Sequence, residues 1–223
     1  MKRLTRLTRE QITKYEQMGY NMSTFMPFDE QEYDVCKKAV QKHGYDIELV
    51  KDQTEELQMI AICNSVETLK VIKNPTVKVC KEAIMRLSSA IQYIENPSEE
   101  LQLLATARDV FAIRYIENPT ENVARDCVTR YPLTIEYIKN PSEVLQELAV
   151  RLDPWNLEYI ENQTEDLCTT AVEKDPRVII YVKNQTERIR DIVIKESFER
   201  YQDFENEDLD GEMWMEAIQY LHE

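Results

Sequence analysis

An all-α fold is predicted for this chain of 223 residues: an α-solenoid of about seven to eight 22-residue helix-turn-helix repeats with N- and C-terminal capping helices. Three observations predict it. Thr54, Thr76, Ser98, Thr120, Ser142, Thr164 and Thr186 recur at a constant interval of 22 residues, without insertion or deletion. A strict short period belongs to units that bury their apolar faces on neighbouring copies. Within each unit the apolar residues fall twice into helical spacing. Glycine is scarce, at three residues, which disfavours folds and phosphate loops that need positive φ angles.

With the Ser/Thr as position zero, the first helix follows from a cap, an acid and a stripe. The hydroxyl can accept from an unpaired N–H of the first turn. Glu55, Glu99, Glu121, Glu143, Glu165 and Glu187 come next, at the positive helix end. Position three holds Leu57, Val79, Leu101, Val123, Leu145, Leu167 and Ile189. Position seven holds Ala61, Ala83, Ala105, Cys127, Ala149, Ala171 and Val193, small enough for close helix contact. Position eight holds Ile62, Ile84, Thr106, Val128, Val150, Val172 and Ile194. A helix of about ten residues results.

A second helix begins where Pro132, Pro154 and Pro176 stand at position twelve, the first-turn site at which proline loses no hydrogen bond. Asp153 and Asp175 precede two of them as caps. Leu69, Ile91, Ile113, Ile135, Leu157 and Ile179 at position fifteen, with Ile72, Ile94, Ile116, Ile138, Ile160 and Val182 at eighteen, give its apolar face. Tyr93, Tyr115, Tyr137, Tyr159 and Tyr181 lie between them. Asn74, Asn96, Asn118, Asn140, Asn162 and Asn184 close the helix, since asparagine tolerates the left-handed conformation. Neither helix is long enough to stand alone in water.

The phase extends outward. Glu32 takes position zero of a divergent first repeat, with Val35, Ala39, Val40, Ile47 and Val50 in pattern, and Asn206 keeps phase at the other end. Three regions follow: residues 1–29 as a basic arm, a helix from the Thr8/Gln11 capping box to about Met18, and a linker; residues 30–206 as tandem repeats; residues 207–223 as an acidic C-terminal capping helix.

The segment Tyr-Ile-Glu-Asn-Pro-Ser-Glu at residues 93–99 and its copy Tyr-Val-Lys-Asn-Gln-Thr-Glu at 181–187 resemble a short tandem helical repeat, a domain of unknown function found in bacterial, phage and giant-virus proteins. The resemblance covers residues 30–206. It implies an all-α solenoid and transfers no activity. Its occurrence in phages implies a small protein that binds and inhibits or redirects a host defence protein.

Net charge is −15, which opposes broad binding to nucleic-acid backbones or anionic membranes. The charge is polarised. Residues 196–223 carry ten carboxylates against Arg200, whereas residues 1–9 carry Lys2, Arg3, Arg6 and Arg9 and no acid. Cys36, Cys63, Cys80, Cys127 and Cys168 include no CxxC pair, and three share one repeat position. They read as reduced thiols used as small apolar side chains, consistent with a cytoplasmic setting. No apolar run follows the basic start, and none nears the roughly 20 residues of a membrane span.

Catalytic chemistry finds little support. His43 and His222 lie at opposite ends of the array, so a Ser/His or Cys/His catalytic pair is not expected unless the chain dimerises. The carboxylates follow the caps, and the acid-rich segment from Asp203 to Glu212 lacks the EF-hand ligand order. No catalytic residue, cofactor or metal is expected. The pattern breaks at position thirteen, where Phe111, Leu133 and Trp155 stand in three consecutive copies, each four residues before Tyr115, Tyr137 or Tyr159. On one helix face they would form an aromatic ridge bordered by Arg114, Glu136 and Glu158, suited to a protein partner if exposed and to inter-repeat packing if not. The leading expectation is a non-enzymatic interaction protein. Its alternatives are an acidic nucleic-acid mimic that blocks a basic groove, and a small-ligand-binding or enzymatic homo-oligomer.

Overall fold

A computed structural model describes residues 33–203, together with Thr13, Lys14 and Gln17. Those three are helical, within the N-terminal helix expected from the capping box. The remaining N-terminal residues, Asn206 and the expected acidic capping helix lie outside the described residues. Every described element is helical, and the repeats stack in sequence order. Two compact units, Met1–Ile116 and Glu117–Glu223, divide the chain.

The first unit contains α1 (Tyr33–Lys42), η1 (Gly44–Leu49), α2 (Glu55–Asn64), η2 (Val66–Val71), α3 (Val77–Arg86), η3 (Ser88–Tyr93), α4 (Glu99–Arg108) and η4 (Val110–Tyr115). The second contains α5 (Glu121–Arg130), η5 (Pro132–Tyr137), α6 (Glu143–Leu152), η6 (Pro154–Tyr159), α7 (Glu165–Lys174), η7 (Pro176–Tyr181) and α8 (Glu187–Asp203). Each η element is a six-residue 3-10 helix. The second helix of every complete repeat is therefore tighter than an ordinary α-helix. Three residues per turn put positions twelve, fifteen and eighteen on one line. In α8 the helix continues through the point where other copies turn, so the eighth copy is one uninterrupted segment.

The capping expectation holds at the atomic level. Thr54, Thr76, Thr120, Ser142, Thr164 and Thr186 each accept from the N–H three residues on, at 3.2–3.5 Å. Ser98 makes no such side-chain bond. The hydroxyls also donate backwards. Thr76 reaches Glu55 at 2.9 Å, Ser142 reaches Glu121 at 3.0 Å and Thr186 reaches Glu165 at 2.6 Å. The glutamate after the cap thus ties its helix to the next cap as well as favouring the helix dipole.

Apolar burial sets the register. Positions three, seven and eight are buried from Leu57 to Val172, and Ile189 and Val193 continue them. Ile194 departs from the stripe and is exposed. Among the described residues, buried clusters form around Val40, Ile47, Leu57, Ile62 and Leu69 and around Val150, Leu157, Ile160, Val172 and Ile179. Small residues at position seven, alanine in five of the seven copies, let successive helices approach closely.

Buried amides hold neighbouring turns together. Gln58 Nε2 donates to the carbonyls of Gln53 and Asn74, while its Oε1 accepts from Thr76 N–H. Gln163 does the same between repeats, donating to Leu157 and Tyr181 carbonyls and accepting from Lys183 N–H. The asparagine row, by contrast, is exposed. Asn96 and Asn140 adopt positive φ, at 47° and 50°, and they do so in the bend two residues beyond the 3-10 helix cap. Glutamine, with one more methylene, reaches across the inter-repeat gap.

Gly44 opens η1 in a confined place. An added Cβ would lie 2.9 Å from Asn64 Cβ and 3.0 Å from the Ala61 carbonyl oxygen. Gly44→Ala should therefore force η1 away from α2 and destabilise the first unit by about 1–3 kcal/mol. Urea denaturation followed by circular dichroism would measure it, with exposed Lys38→Ala as the near-neutral reference.

Candidate functional site

The residues expected to form a partner-binding ridge fall into two groups. In the first unit, Phe111, Arg114 and Tyr115 belong to η4. Because that helix has three residues per turn, residues four apart point about 120° from each other. The same-face relation expected between Phe111 and Tyr115 is therefore replaced by an i, i+3 pairing. Arg114 folds back so that its Nε donates to the Phe111 carbonyl at 2.9 Å. Its guanidinium lies 5.5 Å from the Phe111 ring centre and 5.6 Å from that of Tyr115. One cation thus serves two aromatic rings.

In the second unit, Leu133, Tyr137, Trp155 and Tyr159 occupy η5 and η6, with Glu136 and Glu158 exposed beside the tyrosines. Trp155 is only half-buried, yet it is firmly held. Its ring meets Tyr181 of the following repeat edge-on, with centroids 5.9 Å apart and an interplanar angle of 76°. Its indole N–H donates to Asp175 at 3.1 Å, and Arg177 stacks 5.7 Å from the ring centre. Inter-repeat packing therefore accounts for much of Trp155. Tyr159 keeps 36% of its surface exposed.

Asp175 organises this contact. It caps η7 by accepting from Arg177 N–H at 3.1 Å and binds the Arg177 guanidinium through both carboxylate oxygens at 2.9 Å. Burial alone would raise its carboxyl, but the Arg177 hydrogen bonds and charge, with the Trp155 indole, hold it below the usual carboxylate range. Asp109 and Asp153 cap η4 and η6 in the same way. The expected proline-linked caps Asp153 and Asp175 are thus in place, while Asp109 caps without a following proline. Tyr181 and Arg177 were not singled out from sequence. The signal was present in the unpaired needs of Trp155: its indole requires an acceptor, and aspartate recurs one repeat later.

A cleft of about 370 Å³ opens beside Tyr159, lined also by Glu136, Ile138, Lys139, Asn140, Glu161 and Asn162. Burial, followed by the carboxylates of Glu158 and Glu136, pushes the Tyr159 phenol above its ordinary value.

Four of the five cysteines are buried, as small apolar side chains should be. Burial raises the thiols of Cys36, Cys80 and Cys168. Cys63 differs: it is exposed, and Arg86 Nη2 donates to its sulfur at 3.4 Å. His43 lies exposed in the turn before η1. No group of His, Cys, Asp or Glu among the described residues has the arrangement of a metal site, and no described helix is long and apolar enough to cross a membrane. His222 and the acid-rich segment from Asp203 to Glu212 fall outside the described side chains.

Comparison with known proteins yields no family model that matches this chain, and no match among curated proteins or solved structures.

Proposed function

We propose that this chain is a non-enzymatic repeat protein that binds another protein, with the Trp155–Tyr159 face of the second unit as its contact surface. The observation that carries this reading is Tyr159: an aromatic ring 36% exposed, set on a scaffold whose neighbouring rings are fixed by stacking and hydrogen bonds. A rigid aromatic anchor loses little conformational entropy on binding, which is why such residues dominate interface energetics. Leu133 and Tyr137 extend the face within the same unit. Phe111, Arg114 and Tyr115 offer a second, cation-bearing aromatic group in the first unit.

The resemblance to repeats of phage proteins makes a host protein the partner class, inhibited or redirected by occupancy in the host cytoplasm. Affinity capture from host lysate tests the reading. Tyr159→Ala should remove the captured protein or reduce it at least about tenfold, the scale of an interface hot spot. Val144→Ala, at a residue 60% exposed on α6, should leave capture unchanged. Equal capture by the parent and Tyr159→Ala would overturn the assignment of this face.

A further inference from the structure

Position sixteen of the repeat varies in charge along the array. It holds Glu48, Lys70, Gln92 and Arg114 in the first unit, and Glu136, Glu158 and Ile180 in the second. In the first unit the protein supplies its own cations to its rings. Lys70 Nζ stands 5.2 Å from the Tyr45 ring centre, and Arg114 stands 5.6 Å from that of Tyr115. In the second unit Arg177 covers Trp155, while the ring of Tyr159 is flanked by carboxylates. Glu136, Glu158 and Glu161 are exposed and take part in no ion pair among the described residues. Two lysines stand near: Lys139, which also lines the cleft, lies 3.7 Å from Glu117, and Lys183 Nζ donates to the main-chain carbonyls of Ile160 and Glu161.

We infer that the cleft beside Tyr159 receives a lysine or arginine side chain from an extended basic segment of a partner protein, with the cation over the Tyr159 ring and the carboxylates of Glu136 and Glu158 on either side. The cleft supplies the space, the ring supplies the attraction of its face for a cation, and the carboxylates of Glu136 and Glu158, in no ion pair among the described residues, supply charge complementarity. The net charge of −15 adds long-range steering toward a basic partner. This inference rests on the reading of the Trp155–Tyr159 face as a partner surface.

The test uses the full chain and a capped nonapeptide of alternating lysine and serine, titrated by calorimetry at low salt. Glutamate–serine peptide and spermidine serve as comparison ligands. The lysine peptide should bind, and the Glu136→Gln/Glu158→Gln double variant should weaken it by at least about tenfold. Tyr159→Leu should weaken it similarly through loss of the cation–ring contact. Glu143→Gln/Glu187→Gln removes equal charge from exposed helix starts and should change affinity less than about threefold. Equal loss in both double variants would reduce the effect to net charge and overturn the site. Spermidine binding as tightly as the peptide would overturn the assignment to a protein segment. Absence of any Tyr159-dependent peptide binding, with Tyr159-dependent capture intact, would overturn the basic-segment inference while leaving the partner face standing.

Discussion

Leu157→Ala should destabilise the second unit by about 2–5 kcal/mol, the largest effect expected from a single truncation here. Leu157 is fully buried at position fifteen of its repeat, in the core with Val150, Ile160, Val172 and Ile179. Removing three carbons leaves a cavity that rigid 3-10 and α-helical neighbours can only partly close. Its carbonyl also accepts from Gln163 Nε2 at 3.1 Å, so displacement of η6 would disturb the amide link to the following turn. A repeat array adds a further consequence. Stability comes from each unit plus its interfaces with neighbours, so damage at one interface lowers cooperativity as well as stability. Urea titration should show a lower midpoint with a broadened transition. Val144→Ala, at an exposed site on α6, should stay within about 0.5 kcal/mol.

Asp175→Ala should cost about 2–4 kcal/mol at neutral pH, because one nearly buried carboxylate serves as helix cap, ion-pair partner and indole acceptor. Removing it takes away the acceptor of the Trp155 indole N–H and two hydrogen bonds of the Arg177 guanidinium. Asp175→Asn should cost less, since the amide oxygen can still cap η7. The pH dependence distinguishes charge from shape. The folded carboxyl lies below its ordinary value, so the unfolded chain takes up a proton first as the solution is acidified. The charge contribution is therefore complete above the unfolded value of about 4 and is lost as pH falls through the lower folded value. Parent and Asp175→Asn stabilities, measured by urea titration, should differ most near pH 7 and converge below about pH 4. A constant difference across that range would mean that the ion pair contributes nothing to stability.

The exposed ion pairs call for smaller expectations. Lys78–Glu55 and Arg188–Asp166 join successive repeats, but their side chains remain largely in water. Such pairs contribute about 0–1 kcal/mol and are screened by salt. The cap-to-glutamate bonds of Thr76, Ser142 and Thr186 are similarly exposed; they specify how far one repeat is offset from the next more than they stabilise it.

Much of this protein was legible before any coordinates. The constant interval, the Ser/Thr caps and the apolar positions three, seven, eight, fifteen and eighteen determined the number of repeats, the ten-residue first helices and the composition of the core. These features are legible because they are local: a cap and a stripe act within a few residues. Tertiary structure decided the rest. It made the second helix 3-10, since spacings of three are shared by both helix types and only packing against the preceding α-helix selects the tighter one. That choice rotated Phe111 away from Tyr115. It also gave an inter-repeat amide role to Gln58 and Gln163, because reach across a gap depends on a distance no local pattern contains. Trp155 looked in sequence like one member of a ridge. Its pairing with Asp175 and Tyr181, 20 and 26 residues on, exists only when repeats stack.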